Sequence, residues 1–283
     1  MLITTQKELD KLCTALAQKK VIAIDTEFVR RDTYYAKLSL LQISTKEETN
    51  LVDAVDLDLE LIKNLLLNQR VVKIFHAPRQ DFEIFYHLFG ITPVNIFDTQ
   101  IAAGFCGLRA VMSYADLCSE ICHVTIDKTY QAANWLARPL REDMLIYAAK
   151  DVEYLHDIYE YFYPLIEDRE GYEARVQVEL LDHELYKPNF QNSWKKIRAG
   201  KRSEDFINKL KVIAAFREET ASNLDVPRGH FIPDQAVIQI CSELPVNLKA
   251  FRRIQLQSKW MKMDLYRGKI LDLCSALTGS GNF

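Results

Sequence analysis

Two acidic residues stand one residue apart where an apolar segment of the sequence ends. Residues 21–24 are apolar, and Asp25, Thr26 and Glu27 follow them directly. Alternate residues of a β-strand point to the same face, so a strand here would place both carboxylates side by side. Neighbouring anions repel each other unless a positive charge lies between them. A hard cation such as Mg²⁺ or Mn²⁺ prefers oxygen ligands and would supply that charge; the alternative is a strand that ends in water with both acids hydrated.

Asp81, Tyr147 and Asp151 have the chemistry to join such a site. Asp81 follows an apolar segment and begins a predicted helix, where an acid also suits the helix dipole. In DMLIYAAKDVEYL, Tyr147 and Asp151 are four residues apart, so a helix would place them on one face. Each alone has an ordinary explanation, because aspartates usually lie on the wet side of a helix and a single tyrosine is typical of a half-buried core position. Together with the first pair, they form a more specific pattern than any member.

The segments that must position these side chains alternate between strand and helix patterns. Short apolar runs predict strands over residues 21–24, 37–44, 50–55, 71–75 and 93–97. Helical periodicity predicts helices over residues 6–18, 57–68, 81–89 and most of the chain after 98. Short turns between the first three strands favour antiparallel neighbours, whereas the later βα units add parallel strands. The predicted fold class is α/β, with a mixed sheet covered by helices.

The composition of the chain changes near residue 187. The stretch 187–205 is polar and holds a run of basic side chains: Lys195, Lys196, Arg198, Lys201 and Arg202. We interpret residues 191–205 as a basic interdomain linker, whose charges either track a nucleic-acid backbone or are simply solvated. Residues 206–275 are predicted to be all-helical, and the tail TGSGNF is predicted to lack regular structure.

The overall composition limits the classes of protein to consider. The chain has 283 residues, 48% of them hydrophobic and 27% charged, which is ordinary for a globular protein. Its net charge is −3, so any nucleic-acid contact must come from local basic patches. The start MLITTQKELDKLC does not resemble a signal peptide, and no apolar run approaches the length of a membrane span. Six cysteines without a CxxC pair are typical of reduced thiols, so we expect a cytoplasmic protein without a zinc site or disulfide framework.

The acids and the tyrosine form a recognisable constellation. The set Asp25-x-Glu27, Asp81 and Tyr147-x-x-x-Asp151 resembles the DEDD superfamily of 3′→5′ exonucleases, and ribonuclease D in particular. A tyrosine four residues before the last aspartate marks the tyrosine branch of that superfamily. The segments DTEFVRRDTYYAKLSLLQI, IFHAPRQDFEIF, FDTQIAAGF and DKTYQAANWLARPLREDMLIYAAKDVEYL also look like ribonuclease D. The resemblance covers most of residues 20–160.

The sequence departs from the family pattern at two places. Gln80 stands where the family commonly has an acid, just before the middle aspartate. Ala133 and Asn134 stand where the family often has Ser-Asp, before the tryptophan. Neither departure removes one of the four acids, and both bear on substrate contacts.

The resemblance implies a hydrolysis that uses two divalent metal ions, Mg²⁺ or Mn²⁺. By this resemblance, Asp25 bridges both ions, and Asp81 supports the second ion through water. Glu27 and Asp151 hold the ion near the attacking water. Tyr147 orients that water, because an unperturbed tyrosine pKa of about 10 makes it a poor base at neutral pH. The implied products are nucleoside 5′-monophosphates, released one at a time from a 3′ end.

The resemblance also suggests substrate-binding residues: Thr26, Phe28, His76, Lys128, Trp135 and Arg138. In related enzymes the backbone and the apolar side chain beside the first two acids meet the terminal nucleotide. Lys128 and Trp135 would hold a phosphate and a base, although a buried core position explains Trp135 equally well. Arg138 is either a phosphate contact or a helix-packing residue, and His76 is either a substrate contact or structural. Asp98, before an apparent helix, is most simply an N-cap.

The resemblance further implies a domain layout and a substrate class. A ribonuclease H-like exonuclease domain would occupy residues 1–190, the basic linker 191–205, and a small all-α domain similar to an HRDC domain 206–283. The expected partner is RNA with a single-stranded 3′ end, such as a tRNA precursor, bound by a monomer. Two alternatives stay open: a single-stranded DNA 3′–5′ exonuclease, and a non-catalytic nucleic-acid-binding module. The lack of a Walker P-loop and of a GxGxxG motif disfavours a small-molecule nucleotide hydrolase.

Overall fold

The computed structural model describes residues 1–109, 111–254 and 258–279. All six cysteines carry free thiols. Among the helices in these ranges, none combines the length and the apolar character that crossing a membrane requires.

The chain divides into two units, and the division does not simply follow the sequence. Unit 1 comprises Met1–Val29 and Ala36–Lys187. Unit 2 comprises Arg30–Tyr35 and Pro188–Phe283. The six-residue segment Arg30–Tyr35 therefore interrupts unit 1 in the sequence but belongs to unit 2.

In the described residues, unit 1 is built on a six-stranded sheet. Its strands are β1 (Leu2–Ile3), β2 (Val21–Val29), β3 (Lys37–Ser44), β4 (Thr49–Asp53), β5 (Val72–Phe75) and β6 (Ile96–Asp98). Across the sheet the order is β1-β4-β3-β2-β5-β6. β3 pairs antiparallel with β2 and with β4, and the other pairs are parallel. The predicted mixed sheet, in which parallel βα strands extend three antiparallel strands, is confirmed.

Two strands differ from the prediction. β1 has only two residues, which is too short to produce an alternating pattern in the sequence. β2 continues beyond Ile24 as far as Val29 and so includes Asp25 and Glu27. Acidic residues are depleted in strands, so Asp25 and Glu27 weaken the strand signal in the second half of β2.

Helices flank the sheet of unit 1. They are α1 (Gln6–Leu16), α2 (Glu60–Leu66), α3 (Arg79–Phe89), α4 (Thr99–Phe105), α5 (Tyr114–Leu117), α6 (Glu142–Glu153), α7 (Leu155–Phe162) and α8 (Arg169–Val176). Shorter helical turns follow α5, α7 and α8: Cys118–Cys122, Tyr163–Leu165, Gln177–Leu181 and His183–Leu185. The helices predicted over residues 6–18, 57–68 and 81–89 correspond to α1, α2 and α3.

The two faces of the sheet contribute to separate apolar clusters. Ile24 and its cross-strand neighbour Ile43 belong to the main core of unit 1. Leu40 belongs to a second cluster, with Leu51 of β4 and with Trp135, Met144 and Ala148. Leu40 is also the cross-strand neighbour of Glu27, and directly opposed residues share a face. Since Met144 and Ala148 lie on α6, this helix packs on the face of the sheet that carries Glu27.

The regular elements of unit 2 in the described residues are helical. They are a 3₁₀ helix (Phe190–Lys196), α9 (Glu204–Asn223), α10 (Arg228–Phe231), α11 (Asp234–Glu243), α12 (Leu248–Phe251), a second 3₁₀ helix (Lys259–Lys262) and α13 (Asp264–Gly279). The core of unit 2 includes Leu210 and Ile213 of α9, Val237 and Ile240 of α11, and Ile270 of α13. Each of these side chains is at most 1% exposed.

The stretch expected to be a linker packs into unit 2. Ser193 is buried within the 3₁₀ helix, and Ile197 is 6% exposed in the core of unit 2. Trp194 packs against the same core. Trp194 and Ile197 are apolar and three residues apart, as on one side of a helix, and they hold the stretch on the core of unit 2. The many charged residues of the stretch had suggested a linker instead. α13 ends at Gly279 and so includes the first two residues of the expected tail; residues 280–283 lie outside the described residues.

We expect the packing of α6 on the sheet to depend on Leu40. Replacing this fully buried side chain with Ala should lower the free energy of unfolding by about 2–5 kcal/mol, because it leaves a cavity beneath α6. The same change at Leu88, which is 45% exposed on α3, should stay within about 0.5 kcal/mol. Urea denaturation followed by circular dichroism measures both values. Equal effects of the two substitutions would contradict this account of the packing.

Candidate active site

The strand β2 places the first two acids. Asp25 and Glu27 are two residues apart in a continuous strand, so both point to the same face of the sheet. The pairing of β2 with β3 shifts register between Glu27 and Phe28. Such a shift is typical of a β-bulge, which turns a strand locally. It lies directly after Glu27, whereas Asp25 stands in the regular part of the ladder.

Asp81 lies in the first turn of α3 and is held from β2. Its side chain is buried, with 7% of the residue exposed. The hydroxyl of Thr26 donates a hydrogen bond to the Asp81 carboxylate. Thr26 itself is 6% exposed, so this bond is shielded from solvent. The residue between the two acids of β2 thus ties the third acid to the same strand.

The turn between β5 and α3 is fixed by Asp98. Ala77 adopts a left-handed conformation, with φ 50°, which is unusual for a residue with a side chain. Its backbone N–H donates to the Asp98 carboxylate at 3.1 Å. The same carboxylate accepts from the N–H of Gln100 at 2.8 Å and caps α4, as the sequence predicts. One side chain therefore holds both the start of α4 and the turn that leads to Asp81.

The helix α6 brings Tyr147 and Asp151 to the same face of the sheet. Ser44 of β3 donates through its hydroxyl to the carbonyl of Val152 at 3.0 Å. The hydroxyl of Tyr114 donates to the carbonyl of Lys150 at 2.8 Å. The same Tyr114 oxygen accepts from the N–H of Tyr154 at 3.1 Å. These bonds fix the C-terminal half of α6, where Asp151 lies.

A cavity of about 340 Å³ joins these elements. It is lined by Asp25, Thr26, Glu27, Phe28, His76, Gln80, Tyr114, Gln131, Tyr147 and Asp151. The acids of β2 and the acid and tyrosine of α6 therefore face one space. Asp81 does not line the cavity, but its charge acts on Asp25 and its carboxylate is bonded to Thr26.

Burial raises the pKa of all four carboxylates, and repulsion by the other acids adds to this shift at Asp25 and Glu27. Burial comes first, and then the negative charges of Asp81, Asp151 and Glu27, in raising the pKa of Asp25 well above its usual value. Burial and the same kind of repulsion raise the pKa of Glu27 to about 9. Burial raises the pKa of Asp151 to about 7. Burial also raises the pKa of Asp81 to about 6, although the hydrogen bond from Thr26 opposes this shift. The cavity therefore concentrates acidic groups, and within the described residues neither lysine nor arginine is among the side chains that line it.

Tyr147 stays protonated beside these acids. Burial and the charges of Asp151, Glu27 and Asp25 raise the pKa of its hydroxyl above the usual value. Its ring centroid lies 5.9 Å from that of Tyr130 and 6.1 Å from that of Trp135. The ring is thus fixed by aromatic neighbours while the protonated hydroxyl remains a hydrogen-bond donor. A side chain in this state can orient a nucleophile but does not act as a base near neutral pH.

The donor set suits divalent cations that prefer oxygen. Four carboxylates supply oxygen ligands only, which is the chemistry that Mg²⁺ and Mn²⁺ favour. In the described part of the chain, no three His, Cys, Asp or Glu side chains already stand together as a ready metal-binding group. Asp25, Glu27 and Asp151 nevertheless line one cavity, so their oxygens are available to a cation bound there. The residues present therefore fit a divalent metal.

The expected substrate-binding residues fall into two groups. Thr26, Phe28 and His76 line the cavity with the acids. His76 Nδ1 lies 2.9 Å from the hydroxyl of Thr99, and burial lowers the pKa of His76 to about 4, so the imidazole is neutral. Lys128 is exposed and does not line the cavity.

Trp135 and Arg138 lie in structural contacts outside the cavity. Trp135 is 1% exposed within the cluster beneath α6. Arg138 donates through Nε and NH2 to the two carboxylate oxygens of Asp53, each at 2.7 Å. Its NH1 donates to the carbonyl of Trp135 at 2.6 Å, and its NH2 also lies 3.2 Å from the carbonyl of Ser39. These contacts match the core and packing alternatives for the two residues.

Three residues of the cavity were not predicted as site residues. Gln80 appears in the sequence only as a departure from a family pattern. Gln131 lies within the family-like segment DKTYQAANWL, but no spacing rule distinguishes it from its neighbours. Tyr114 follows the N-cap Ser113 of a four-residue helix, and its role depends on a contact with Lys150, 36 residues away. Only the folded chain reveals that contact.

Comparison of sequences finds relatives over most of the chain. Residues 1–167 match the model of a 3′–5′ exonuclease family. Ribonuclease D from Jannaschia sp. (strain CCS1) is 35% identical over 287 residues, which cover 99% of this chain and 73% of that protein. The chain spans about two thirds of the length of other curated ribonuclease D proteins that it matches.

Comparison of structures also finds a ribonuclease D. Escherichia coli RNase D, an exoribonuclease involved in structured RNA processing, is similar with a TM-score of 0.85 and 28% identity. The match covers 98% of this chain and 75% of that one. Brucella melitensis NrnC with bound Mg²⁺ is similar with a TM-score of 0.51 and 26% identity, over 62% of this chain and 85% of that one. The mixed sheet with flanking helices is shared with the E. coli protein.

We expect the repulsion in the cavity to make the metal-free protein less stable at high pH. The raised pKa of Glu27 means that the folded state holds a proton that the unfolded state has lost, over a window from about 4.5 to about 9. Stability should therefore fall as pH rises through this window. Asp25→Asn removes one of the repelling charges, so in EDTA its melting temperature should exceed that of the wild type at pH 8 and approach it at pH 5.

Thermal melting in EDTA at both pH values measures this difference. Asp56→Asn, at an exposed acid of unit 1, is the matched control and should melt like the wild type at each pH. Mg²⁺ should stabilise the wild type more than Asp25→Asn, because binding to the folded state alone raises stability. An Asp25→Asn protein that melts below the wild type at pH 8 would contradict the repulsion.

Proposed function

The chain belongs to the 3′–5′ exonuclease family, within the ribonuclease D group, and we propose that it is a metal-dependent exoribonuclease that removes nucleotides from the 3′ end of RNA. The observation that carries this proposal is the cavity in which Asp25, Glu27, Tyr147 and Asp151 meet, with Asp81 behind them. Uncompensated carboxylates in a cleft are costly unless a cation binds there, and a cation held by carboxylates can in turn bind the phosphates of a polyanionic substrate.

The proposed roles follow from the positions of the side chains. Asp25 interacts with all three of the other acids, since the charges of Asp81, Asp151 and Glu27 each raise its pKa. It is therefore the residue best placed to share two cations. Glu27 and Asp151 would hold the cation nearer the nucleophile, and Asp81 would support the other. Two bound Mg²⁺ or Mn²⁺ ions would supply a nucleophilic water at neutral pH and would stabilise the leaving 3′ oxygen.

Tyr147 would orient the nucleophile by its hydroxyl. Its raised pKa keeps the proton on the oxygen across the physiological range, and the rings of Tyr130 and Trp135 fix its direction. In this proposal Trp135 supports the active site from behind rather than stacking on a base. Arg138 likewise secures the segment that carries Trp135, through Asp53 of β4.

The substrate side of the cavity would receive the terminal nucleotide. Phe28 offers an apolar surface to a sugar or base, and the backbone at Thr26 lies beside it. The neutral His76 and the amide of Gln131 offer hydrogen bonds without adding charge. The expected products are nucleoside 5′-monophosphates.

We extend the proposal to the natural substrate and to unit 2. RNA with a single-stranded 3′ end, such as a tRNA precursor, is the proposed substrate of a monomeric enzyme. The helices α9–α13 would form an HRDC-like domain that binds nucleic acid. Single-stranded DNA is the competing substrate, because recognition of the 2′-hydroxyl is what separates the two.

The central test is a time course on RNA labelled at its 5′ end with a single-stranded 3′ tail. We expect Mg²⁺ or Mn²⁺ to produce a ladder that shortens from the 3′ end, EDTA to abolish it, and a matched DNA to be degraded more slowly. Asp151→Asn should remove metal-dependent release while the protein stays folded, as circular dichroism would show. Folded wild-type protein that cleaves neither strand with any metal would overturn the proposal in favour of a binding module.

Tyr147→Phe tests the orienting role separately. Loss of the hydroxyl should lower kcat about 10²-fold, because a misplaced nucleophile is costly, while KM should change little. Tyr161→Phe removes a hydroxyl from α7 at a residue that is 49% exposed and serves as the matched control. Steady-state kinetics on a short RNA measure both variants. A large rise in KM with unchanged kcat would assign Tyr147 to substrate binding instead.

A further inference from the structure

Unit 2 contains a cavity of its own, of about 410 Å³. It is lined by Arg30, Arg31, Thr33, Tyr34, Lys196, Glu218, Pro227, Arg228 and Gly229. All these residues belong to unit 2, although they come from four separate parts of the sequence. We name it the basic cavity, because four of its lining side chains are cationic and one is anionic.

A buried carboxylate organises the basic cavity. Glu218 of α9 has a side chain that is only 2% exposed. Its Oε1 accepts from the hydroxyl of Tyr34 at 3.1 Å and from Nζ of Lys196 at 3.2 Å. NH1 of Arg228 lies 3.7 Å from the same oxygen. Glu218 therefore sets the positions of two cations that come from different elements.

These two cations keep capacity for another acceptor. The side chains of Lys196 and Arg228 are 53% and 40% exposed, so each remains open to solvent while it contacts Glu218. Lysine and arginine each carry several N–H donors, and one contact to Oε1 does not use them all. A second anion can therefore bind both without displacing Glu218.

The segment Arg30–Tyr35 adds the other cations. The backbone N–H groups of Tyr34 and Tyr35 both donate to the Asp225 carboxylate, at 3.0 and 3.1 Å. Nε of Arg30 donates to the carbonyl of Tyr34 at 2.9 Å, which holds this arginine within its own segment. Arg31 is exposed and, in the described part of the chain, makes no hydrogen bond or ion pair. The segment is thus anchored at Asp225, outside the cavity lining, and presents Arg31 to the cavity.

The charge of the basic cavity is strongly positive. Its lining holds Arg30, Arg31, Lys196 and Arg228 against the single carboxylate of Glu218. The chain as a whole has a net charge of −3, so this concentration runs against the average. Cations gathered from distant parts of the sequence repel one another unless an anion offsets them. A phosphate diester matches both the sign of the charge and the donors available.

We propose that the basic cavity binds a backbone phosphate of the RNA substrate, through Arg31, Lys196 and Arg228. The proposal rests on the proposed function for its choice of RNA. It also separates Lys196 from the rest of the basic run in which it lies. Lys195, Arg198, Lys201 and Arg202 do not line the cavity. Arg202 instead lies over the ring of Phe206, at 4.9 Å.

Salt dependence of binding tests this proposal without any hydrolysis. A fluorescently labelled single-stranded RNA is titrated with protein in EDTA over a series of salt concentrations. For single strands, log affinity falls as log salt rises, and this negative slope becomes shallower by about 0.7 for each phosphate contact that is lost. We expect each of Arg31→Ala, Lys196→Ala and Arg228→Ala to make the slope shallower, by at most this amount, because the three cations share one phosphate. Lys195→Ala removes the exposed lysine next to Lys196 and should keep the wild-type slope.

The outcomes separate this inference from the proposed function. Unchanged slopes in the three cavity variants would overturn the inference, and so would an equal decrease in Lys195→Ala, which would indicate diffuse attraction. Lys196→Ala and Arg228→Ala each remove one of the two cations beside the buried Glu218, so circular dichroism at the assay temperature checks that every variant is folded when its slope is measured. RNA hydrolysis by the wild type is measured apart, in Mg²⁺. Its absence, with the slopes changed as expected, would sink the proposed function and leave the phosphate site standing.

Discussion

Repulsion between buried carboxylates is the constraint on which unit 1 depends. Burial raises the pKa of all four acids, and repulsion adds to the shift at Asp25 and Glu27, so the fold must hold these acids by forces other than their own contacts. Neutral hydrogen-bonding groups, which are not among the four acids, hold the acids in place. Thr26 holds Asp81, while Ser44 and Tyr114 hold the end of α6. Because none of these groups carries a charge, they position the acids without offsetting their negative charge, which still needs a cation.

The sheet turns this constraint into a geometry. The face of the sheet that carries Glu27 of β2 also carries the apolar Leu40 of β3. Burial of the apolar surface around Leu40 holds α6 on that face. Asp151 then lines the cavity from α6, a helix whose apolar side chains are buried in the cluster around Leu40. Arg138 extends the same support, since its contacts with Asp53 and with the Trp135 carbonyl join β4 to the segment before α6. Apolar packing and a paired arginine thus place an acid that electrostatics alone would push away.

The sequence predicts the parts of this arrangement that depend on local periodicity. A spacing of two in a strand and of four in a helix was enough to pair Asp25 with Glu27 and Tyr147 with Asp151. The antiparallel or parallel sense of the predicted strands followed from their connections. Contacts between residues that are far apart in the sequence produce no such periodic pattern. Tyr114 bonds Lys150 across 36 positions, and Tyr34 bonds Glu218 across 184. For the same reason, the stretch 191–205 suggested a linker, because its charges are visible in composition while the burial of Ile197 depends on a partner surface.

The two cavities place opposite demands on a polyanion. In unit 1 the lining is acidic, so a phosphate can approach only together with divalent cations that offset the carboxylates. In unit 2 the lining is basic, so a phosphate can bind directly and displaces only the monovalent ions around it. Monovalent salt should therefore weaken binding through unit 2, whereas divalent ions govern unit 1. The proposed action on nucleic acid is compatible with a net charge of −3, because the charges of the chain are sorted into these two environments rather than averaged over its surface.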